Sequence, residues 1–223
     1  MDTDFWIEKW QQRQIGFHEG RPNASLQQWF HAMQLKPGDH VFVPLCGKSQ
    51  DMLWLLGQGL RVTGCECSPL AVSEFFSENG LQPQSREAGS GLVVHDCGEL
   101  NLWQGDFFSL PDEVLASADG IYDRAALIAL PPDMRRRYVQ QFHQGLKAGT
   151  PILLVTLDFQ RDPAACNNYQ GPPFPHTDAM VQDQYREFPA IEKLGQRDIL
   201  AEEPKFRAQG ATSAYEKTWL IRR

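Results

Sequence analysis

His40-Val41-Phe42-Val43-Pro44-Leu45 is a short, mostly apolar run that ends in the turn Cys46-Gly47-Lys48-Ser49. A run of this length bounded by turn residues predicts a buried strand. Ser49 or Asp51 is the expected N-cap of a following helix that carries Met52, Leu53, Leu55 and Leu56, with Gly57 and Gly59 at its end. Arg61-Val62-Thr63-Gly64-Cys65-Glu66 is then a second strand. Ser68-Pro69 is an N-cap and N1 pair opening a helix that buries Leu70, Phe75 and Phe76 and closes at Asn79-Gly80. Strand, turn and helix therefore occur twice in succession. Upstream, Leu26, Trp29, Phe30 and Met33 at helical spacing predict a helix from Ala24, stopped by Lys36-Pro37-Gly38-Asp39.

Working downstream, residues 84–108 read as β-rich, with Leu92-Val93-Val94 and Leu100-Asn101-Leu102-Trp103 parted by the turn Asp96-Cys97-Gly98-Glu99. Gly120-Ile121-Tyr122-Asp123-Arg124 is a further strand running into Ala125-Ala126-Leu127. A long helix after Pro131-Pro132 presents Met134, Tyr138, Phe142 and Leu146 at spacing four. Its consecutive Arg135, Arg136 and Arg137 fan around the helix and read as a solvated face. Pro151 to Leu157 is nearly all apolar, as a strand covered on both faces requires. Residues 170–175 are loop, Thr177-Asp178 starts another helix, and residues 191–200 and 215–222 are the last strands. Alternating βα units of this kind predict an α/β fold, a doubly wound, mostly parallel Rossmann-like sheet with helices on both faces. Ligands bind such sheets beyond the C-terminal strand ends, which puts the site at residues 45–49, 66–69 and 122–127. Residues 1–23, with Trp6, Trp10, Phe17 and His18, read as a helical cover over that site.

The chain has 223 residues, 28 acidic against 21 Lys and Arg, and a formal net charge of −7. The length suits one domain over residues 1–223. The negative balance excludes a phosphate-backbone footprint. No apolar run reaches the roughly 18 residues a membrane span needs, and the acidic start is unlike a secretory signal, so a cytoplasmic monomer without nucleic-acid or membrane partners is expected. The five cysteines show no CxxC spacing and are expected as buried free thiols rather than disulfides or metal ligands.

The turn at 44–49 is not a P-loop, because Walker A needs a glycine where this chain has Phe42, and one glycine does not make GxGxxG. Gly47 still permits one close approach of backbone to ligand. Glu66, at the end of the second strand, is placed to accept both hydroxyls of an unphosphorylated ribose, although a structural acid would look the same. Asp106 either accepts from an adenine amine or caps a turn. Asp123-Arg124 offers cationic donors to an anion, or forms an internal ion pair. Trp10, Phe17 and His18 form an aromatic lid over a cationic ligand, or simply pack.

Together Trp6-x-x-x-Trp10 with Phe17-His18, Val43-Pro44-Leu45-Cys46-Gly47-Lys48-Ser49, Gly64-Cys65-Glu66-Cys67-Ser68, Tyr122-Asp123-Arg124-Ala125-Ala126-Leu127 and Gly171-Pro172-Pro173-Phe174 resemble the thiopurine S-methyltransferase family, a branch of the class I S-adenosylmethionine (SAM)-dependent methyltransferases. The resemblance implies a seven-stranded sheet whose last strand is antiparallel. It also implies a SAM site of Trp10, Leu45, Gly47, Glu66, Asp106, Phe107 and Arg124, with Asp106 and Phe107 flanking the adenine. Phe17, Arg124 and either Lys205 or Arg207 are implied on the acceptor side. The implied reaction is an in-line SN2 methyl transfer to an aromatic or heterocyclic thiol such as a thiopurine, producing S-adenosylhomocysteine without a metal. Arg124 would favour the thiolate, and water or Asp123 would be the secondary proton acceptor. Methylation of selenium or tellurium species, in detoxification, is the second reading. A non-catalytic nucleotide-binding module or an NAD enzyme on the same sheet is the third, the missing GxGxxG counting against the NAD enzyme.

Overall fold

The computed structural model describes residues 3–162, 171–202 and 204–223, and the side chains of residues 204 and 205 are not among those described. The chain begins with α1 (Thr3–Gln11) and α2 (Ala24–Trp29), and a 3-10 turn at Phe30–Met33 prolongs α2. Asn23 caps α2 by accepting the N–H groups of Ser25 and Leu26. There follow β1 (His40–Val43), α3 (Asp51–Gly57), β2 (Arg61–Glu66), α4 (Pro69–Glu78), β3 (Gln84–Gly89), β4 (Leu92–Cys97), β5 (Leu100–Gln104), α5 (Asp112–Ala116), β6 (Gly120–Arg124) and α6 (Pro132–Gly145). The chain ends with β7 (Pro151–Arg161), α7 (Asp178–Gln184), β8 (Ala190–Asp198), α8 (Pro204–Ala208) and β9 (Ala211–Arg222).

The strands form one sheet in the order β3-β4-β5-β2-β1-β6-β7-β9-β8. β5, β2, β1, β6 and β7 are parallel, and β9 runs antiparallel between β7 and β8. These are the seven strands expected. Among the described residues the hairpin β3–β4, pairing antiparallel to β5, raises the count to nine, and its β4 is the strand expected at Leu92-Val93-Val94. β3 is almost wholly exposed and lacks the apolar alternation by which a half-buried strand is recognised.

Apolar side chains fill both faces. Leu26, Met52, Leu55, Val72 and Phe75 pack on one face, while Phe107, Val114, Tyr138, Phe142 and Val181 pack on the other. β7 is buried over residues 151–156, which explains its unbroken apolar run. Ser68 caps α4 with Pro69 at N1, as expected. At α3 the expectation needs adjustment, because the helix starts at Asp51 and it is Ser49 Oγ that accepts the Asp51 N–H. The arginine run also departs from its reading: Arg135 is buried, its Nε donates to the Leu130 carbonyl, and its guanidinium lies 4.7 Å from the centre of the Phe174 ring. Cys46 and Cys65 are buried free thiols, Cys67 and Cys97 are only half-buried, and Cys166 lies outside the described residues. Among the described residues no helix is long and apolar enough to cross a membrane.

Candidate active site

The strand order reverses between β1 and β6: the chain leaves β1 toward β2 and β5, then crosses back to β6 and β7. Beyond the C-terminal ends of these strands lies a cavity of ≈ 560 Å³, at the switch point where doubly wound sheets bind ligands. Its wall includes Leu45–Ser49 after β1, Glu66 and Cys67 after β2, and Arg124 and Ala125 after β6.

At the exit of β1 the backbone takes an uncommon path. Leu45 has φ 44° and Gly47 φ 54°, a region that costs energy for any residue with a Cβ. Cys46 N–H donates to the Cys65 carbonyl at 2.9 Å and ties the turn to β2. Glu66 fixes the rest. One of its carboxylate oxygens accepts the Gly47 N–H at 2.9 Å and the other accepts the Ser68 N–H at 2.7 Å. Burial pushes the Glu66 carboxyl above its usual range, opposed by those two N–H groups and by Cys67. The oxygen that holds Ser68 also accepts from Cys67 Sγ at 3.5 Å, so the one that holds Gly47 is the one that keeps a further lone pair for a donor in the cavity. Ala125, with φ 62°, repeats the left-handed geometry at the exit of β6. Non-glycine residues held there mark constrained, often functional positions.

The segment before α2 forms the roof. Trp10 is buried, and a Cβ added to Gly47 would lie 2.9 Å from Trp10 Cζ2, so the glycine is what lets this ring settle on the turn. Phe17 meets Trp10 and Trp6 edge to face, at 5.5 and 5.6 Å between centroids. The Phe17 carbonyl accepts from Arg124 Nη1 at 3.0 Å, and Glu19 forms an ion pair with Arg124 Nη2. Both readings offered for Arg124 therefore have a basis in its position: it faces the cavity, and it carries an internal ion pair. Below the roof Lys48 is buried, with Nζ 2.8 Å from Glu74 and 2.6 Å from Glu78; Arg13 joins Glu74 from the cover. These carboxylates raise the Lys48 pKa although burial alone would lower it.

The remainder of the wall has two characters. Ile128, Val155, Leu157, Ile199 and Phe206, with Gly171, Pro172 and Pro173, make an apolar side. Opposite is a polar network. Asp51 accepts the Asn23 N–H at 2.6 Å and the Tyr122 hydroxyl at 3.0 Å, while Glu216 accepts from Ser25 Oγ at 2.7 Å and from Arg197 Nη2 at 3.1 Å.

Trp10, Phe17, Leu45, Gly47, Glu66 and Arg124 are thus brought together around one cavity. Four expected residues are not. Asp123 points to the opposite face of the sheet, because alternate residues of β6 face opposite sides; its oxygens accept from Tyr138 OH at 2.7 Å and from Leu127 N–H at 3.1 Å. It has no route to a ligand above Arg124. The Phe107 ring is packed in the core 5.0 Å from the Tyr138 ring, and Asp106 is exposed and caps the following 3-10 turn by accepting the Phe108 N–H. Arg207 is exposed on α8, where its neighbours Phe206 and Gln209 line the cavity instead, and the Lys205 side chain lies outside the described residues. The basic side chain that does line the C-terminal part is Arg197 of β8, which reaches Glu216 and Glu202. Lys48, Glu19, Asp51 and Glu216 were also missed. Their partners lie far away in sequence, so no local spacing announced them.

This architecture defines a class I SAM-dependent methyltransferase fold. A Burkholderia thailandensis 1,6-didemethyltoxoflavin-N1-methyltransferase, solved with 1,6-didemethyltoxoflavin and S-adenosylhomocysteine, superposes with a TM-score of 0.62 at 14% identity, covering 99% of this chain and 86% of that one. The sequence is more specific. The thiopurine S-methyltransferase family model matches residues 1–223, and the chain belongs to that family. A Bordetella parapertussis thiopurine S-methyltransferase is 44% identical over 210 residues, covering 94% of this chain and 93% of the relative. One from Methylococcus capsulatus is 40% identical over 222 residues, covering 100% and 98%. The protein is accordingly a SAM-dependent methyltransferase acting on a small molecule.

Proposed function

We propose that the enzyme methylates the sulfur of an aromatic or heterocyclic thiol, thiopurines included, releasing a thioether and S-adenosylhomocysteine. The observation that carries this reading is one cavity with a polar end at Glu66 and Arg124 and an apolar end at Ile128, Val155, Leu157 and Phe206. The polar end fits the cofactor. Glu66 has a lone pair left for a ribose hydroxyl on the oxygen that holds Gly47, the turn at Leu45 and Gly47 supports the methionine part, and Trp10 and Phe17 cover it.

SAM supplies an activated methyl group when bound. The chain's own contribution is to align the acceptor sulfur at about 3–3.5 Å and to exclude water. The roof of Trp6, Trp10 and Phe17 suits the second task. Arg124, ion-paired with Glu19, still presents a cationic guanidinium to the cavity and favours the thiolate over the thiol. Residues 1–223 act as one domain, with residues 1–23 as its cover, and the enzyme works as a cytoplasmic monomer.

A labelled-methyl assay across thiopurines, thiophenols, selenite and tellurite tests it. Label should reach the aromatic thiols. Transfer to selenite or tellurite alone would overturn the thiol assignment.

A further inference from the structure

With Asp123 outside the cavity, the acids that line it, Glu19, Asp51, Glu66 and Glu216, are each engaged in hydrogen bonds or ion pairs, and one further lining side chain can accept a proton. His18 lines the cavity, and its imidazole has no hydrogen-bond partner among the described residues. Its backbone is held on both sides. The residue before it gives its carbonyl to Arg124 Nη1 at 3.0 Å, the residue after it pairs with Arg124 Nη2, and the His18 N–H itself donates to the Ile15 carbonyl at 2.8 Å. The backbone of His18 is therefore tied to the end of β6 while its ring nitrogens stay uncommitted.

We propose that His18 is the catalytic proton acceptor for acceptor thiols that arrive protonated, an assignment that rests on the thiol methyltransferase reading above. The lone pair of an imidazole nitrogen takes the S–H proton. The sulfur electron pair so freed forms the S–C bond to the methyl group, and the sulfonium C–S bond breaks with its electrons remaining on the departing sulfur. The products are thioether, S-adenosylhomocysteine and imidazolium, which then loses its proton to water. An acceptor that is already a thiolate needs none of this, because the thiolate is itself the nucleophile.

The surroundings keep the imidazole ready to accept. Burial lowers its pKa below the ordinary histidine value, and Lys48 and then Arg124 lower it further, against the pull of Glu78 and Glu74. The neutral form thus prevails near pH 7. Glu19, the next charge along the cover, is engaged with Arg124.

The experiment compares His18→Asn and His18→Gln with wild type on two acceptors, 4-nitrothiophenol, which is ionised at pH 7, and benzyl mercaptan, which is not. Positioned general bases contribute about 100-fold or more, so kcat for benzyl mercaptan should fall ~100-fold in both variants and its loss should exceed that for 4-nitrothiophenol by at least ~30-fold. Added imidazole should restore part of that loss. A second readout needs no turnover: in the complex with S-adenosylhomocysteine, the ultraviolet thiolate band of bound thiophenol should titrate at higher pH in both variants than in wild type. Calorimetric S-adenosylhomocysteine affinity reports whether the cover still closes. Equal losses for both thiols, no loss for either, or an unmoved thiolate titration would overturn the assignment. Failure of the underlying reading looks different: wild type then labels neither thiol.

Discussion

Replacing Glu66 with Gln preserves the shape of the side chain and removes one of its two acceptor oxygens. In the structure each oxygen holds a backbone N–H, Gly47 at 2.9 Å and Ser68 at 2.7 Å. A glutamine amide offers one oxygen and one NH2, so in either rotamer a donor faces a donor. A buried donor left without an acceptor costs about 1–3 kcal/mol. Removing the buried charge returns part of that, since burial already disfavours the Glu66 carboxylate. The net expectation for the ligand-free protein is a loss of about 1–2 kcal/mol, which at this chain length lowers Tm by roughly 2–8 °C. Ligand affinity should fall more. A hydrogen bond to a charged group contributes about 1.5–3 kcal/mol, equivalent to a roughly 10- to 100-fold weaker Kd for S-adenosylhomocysteine. Differential scanning calorimetry measures the first quantity and isothermal titration calorimetry the second. A folded Glu66→Gln protein that binds S-adenosylhomocysteine within about threefold of wild type would refute the ribose assignment. An unchanged Tm would refute the account of the turn.

Burial raises Asp123 from 3.8 to about 6, so between those pH values the folded chain keeps a proton the unfolded chain has lost and stability falls as pH rises. Burial lowers His176 from 6.5 to about 4, so the unfolded chain takes up a proton the folded chain refuses, and stability falls as pH drops through that window. Each effect is worth about 3 kcal/mol and they oppose; Asp123→Asn should unmask a rise in the urea midpoint from pH 4 to 6.5, and identical pH slopes in variant and wild type would contradict this. Glu19→Gln removes the charged partner of Arg124 and should loosen the cover by about 1–2 kcal/mol, read as roughly tenfold faster hydrogen exchange of amides in residues 5–18; unchanged protection would mean that other contacts hold it. Gly47→Ala sets a Cβ 2.9 Å from the Trp10 ring at φ 54° and should cost about 1–3 kcal/mol in a denaturant melt, with a wild-type midpoint counting against the close approach.

Local patterns carried most of the fold. The apolar run of β1, the Ser68-Pro69 start of α4 and the spacing of Tyr138 and Phe142 each depend on neighbours in sequence, and each appears where expected. Features set by distant partners did not show in the same way. β3 is held as an edge by hydrogen bonds to β4 rather than by an apolar face. The facing of a strand residue follows from alternation alone: Tyr122 and Arg124 look into the cavity, so Asp123 between them cannot. Arg135 shows the limit of reading charge as exposure, since a guanidinium enters a core when a carbonyl and an aromatic face receive it. At the site, Glu66 and Gly47 are readable because they are turn residues, whereas Asp51 matters through partners 28 and 71 residues away and Glu216 through partners at the other end of the chain.

The bonds from Asn23 and Ser25 to Glu216 span 193 and 191 residues. Contacts of such separation form late, because the loop they close must first be ordered by shorter-range structure. β9 has to insert between β7 and β8 before Glu216 is in place to receive α2. The roof of the cavity is therefore expected to dock after the sheet is complete, so that a refolding chain passes through a stage with the central strands formed and the site still open. Binding of S-adenosylhomocysteine should accordingly return more slowly during refolding than the circular dichroism of the sheet.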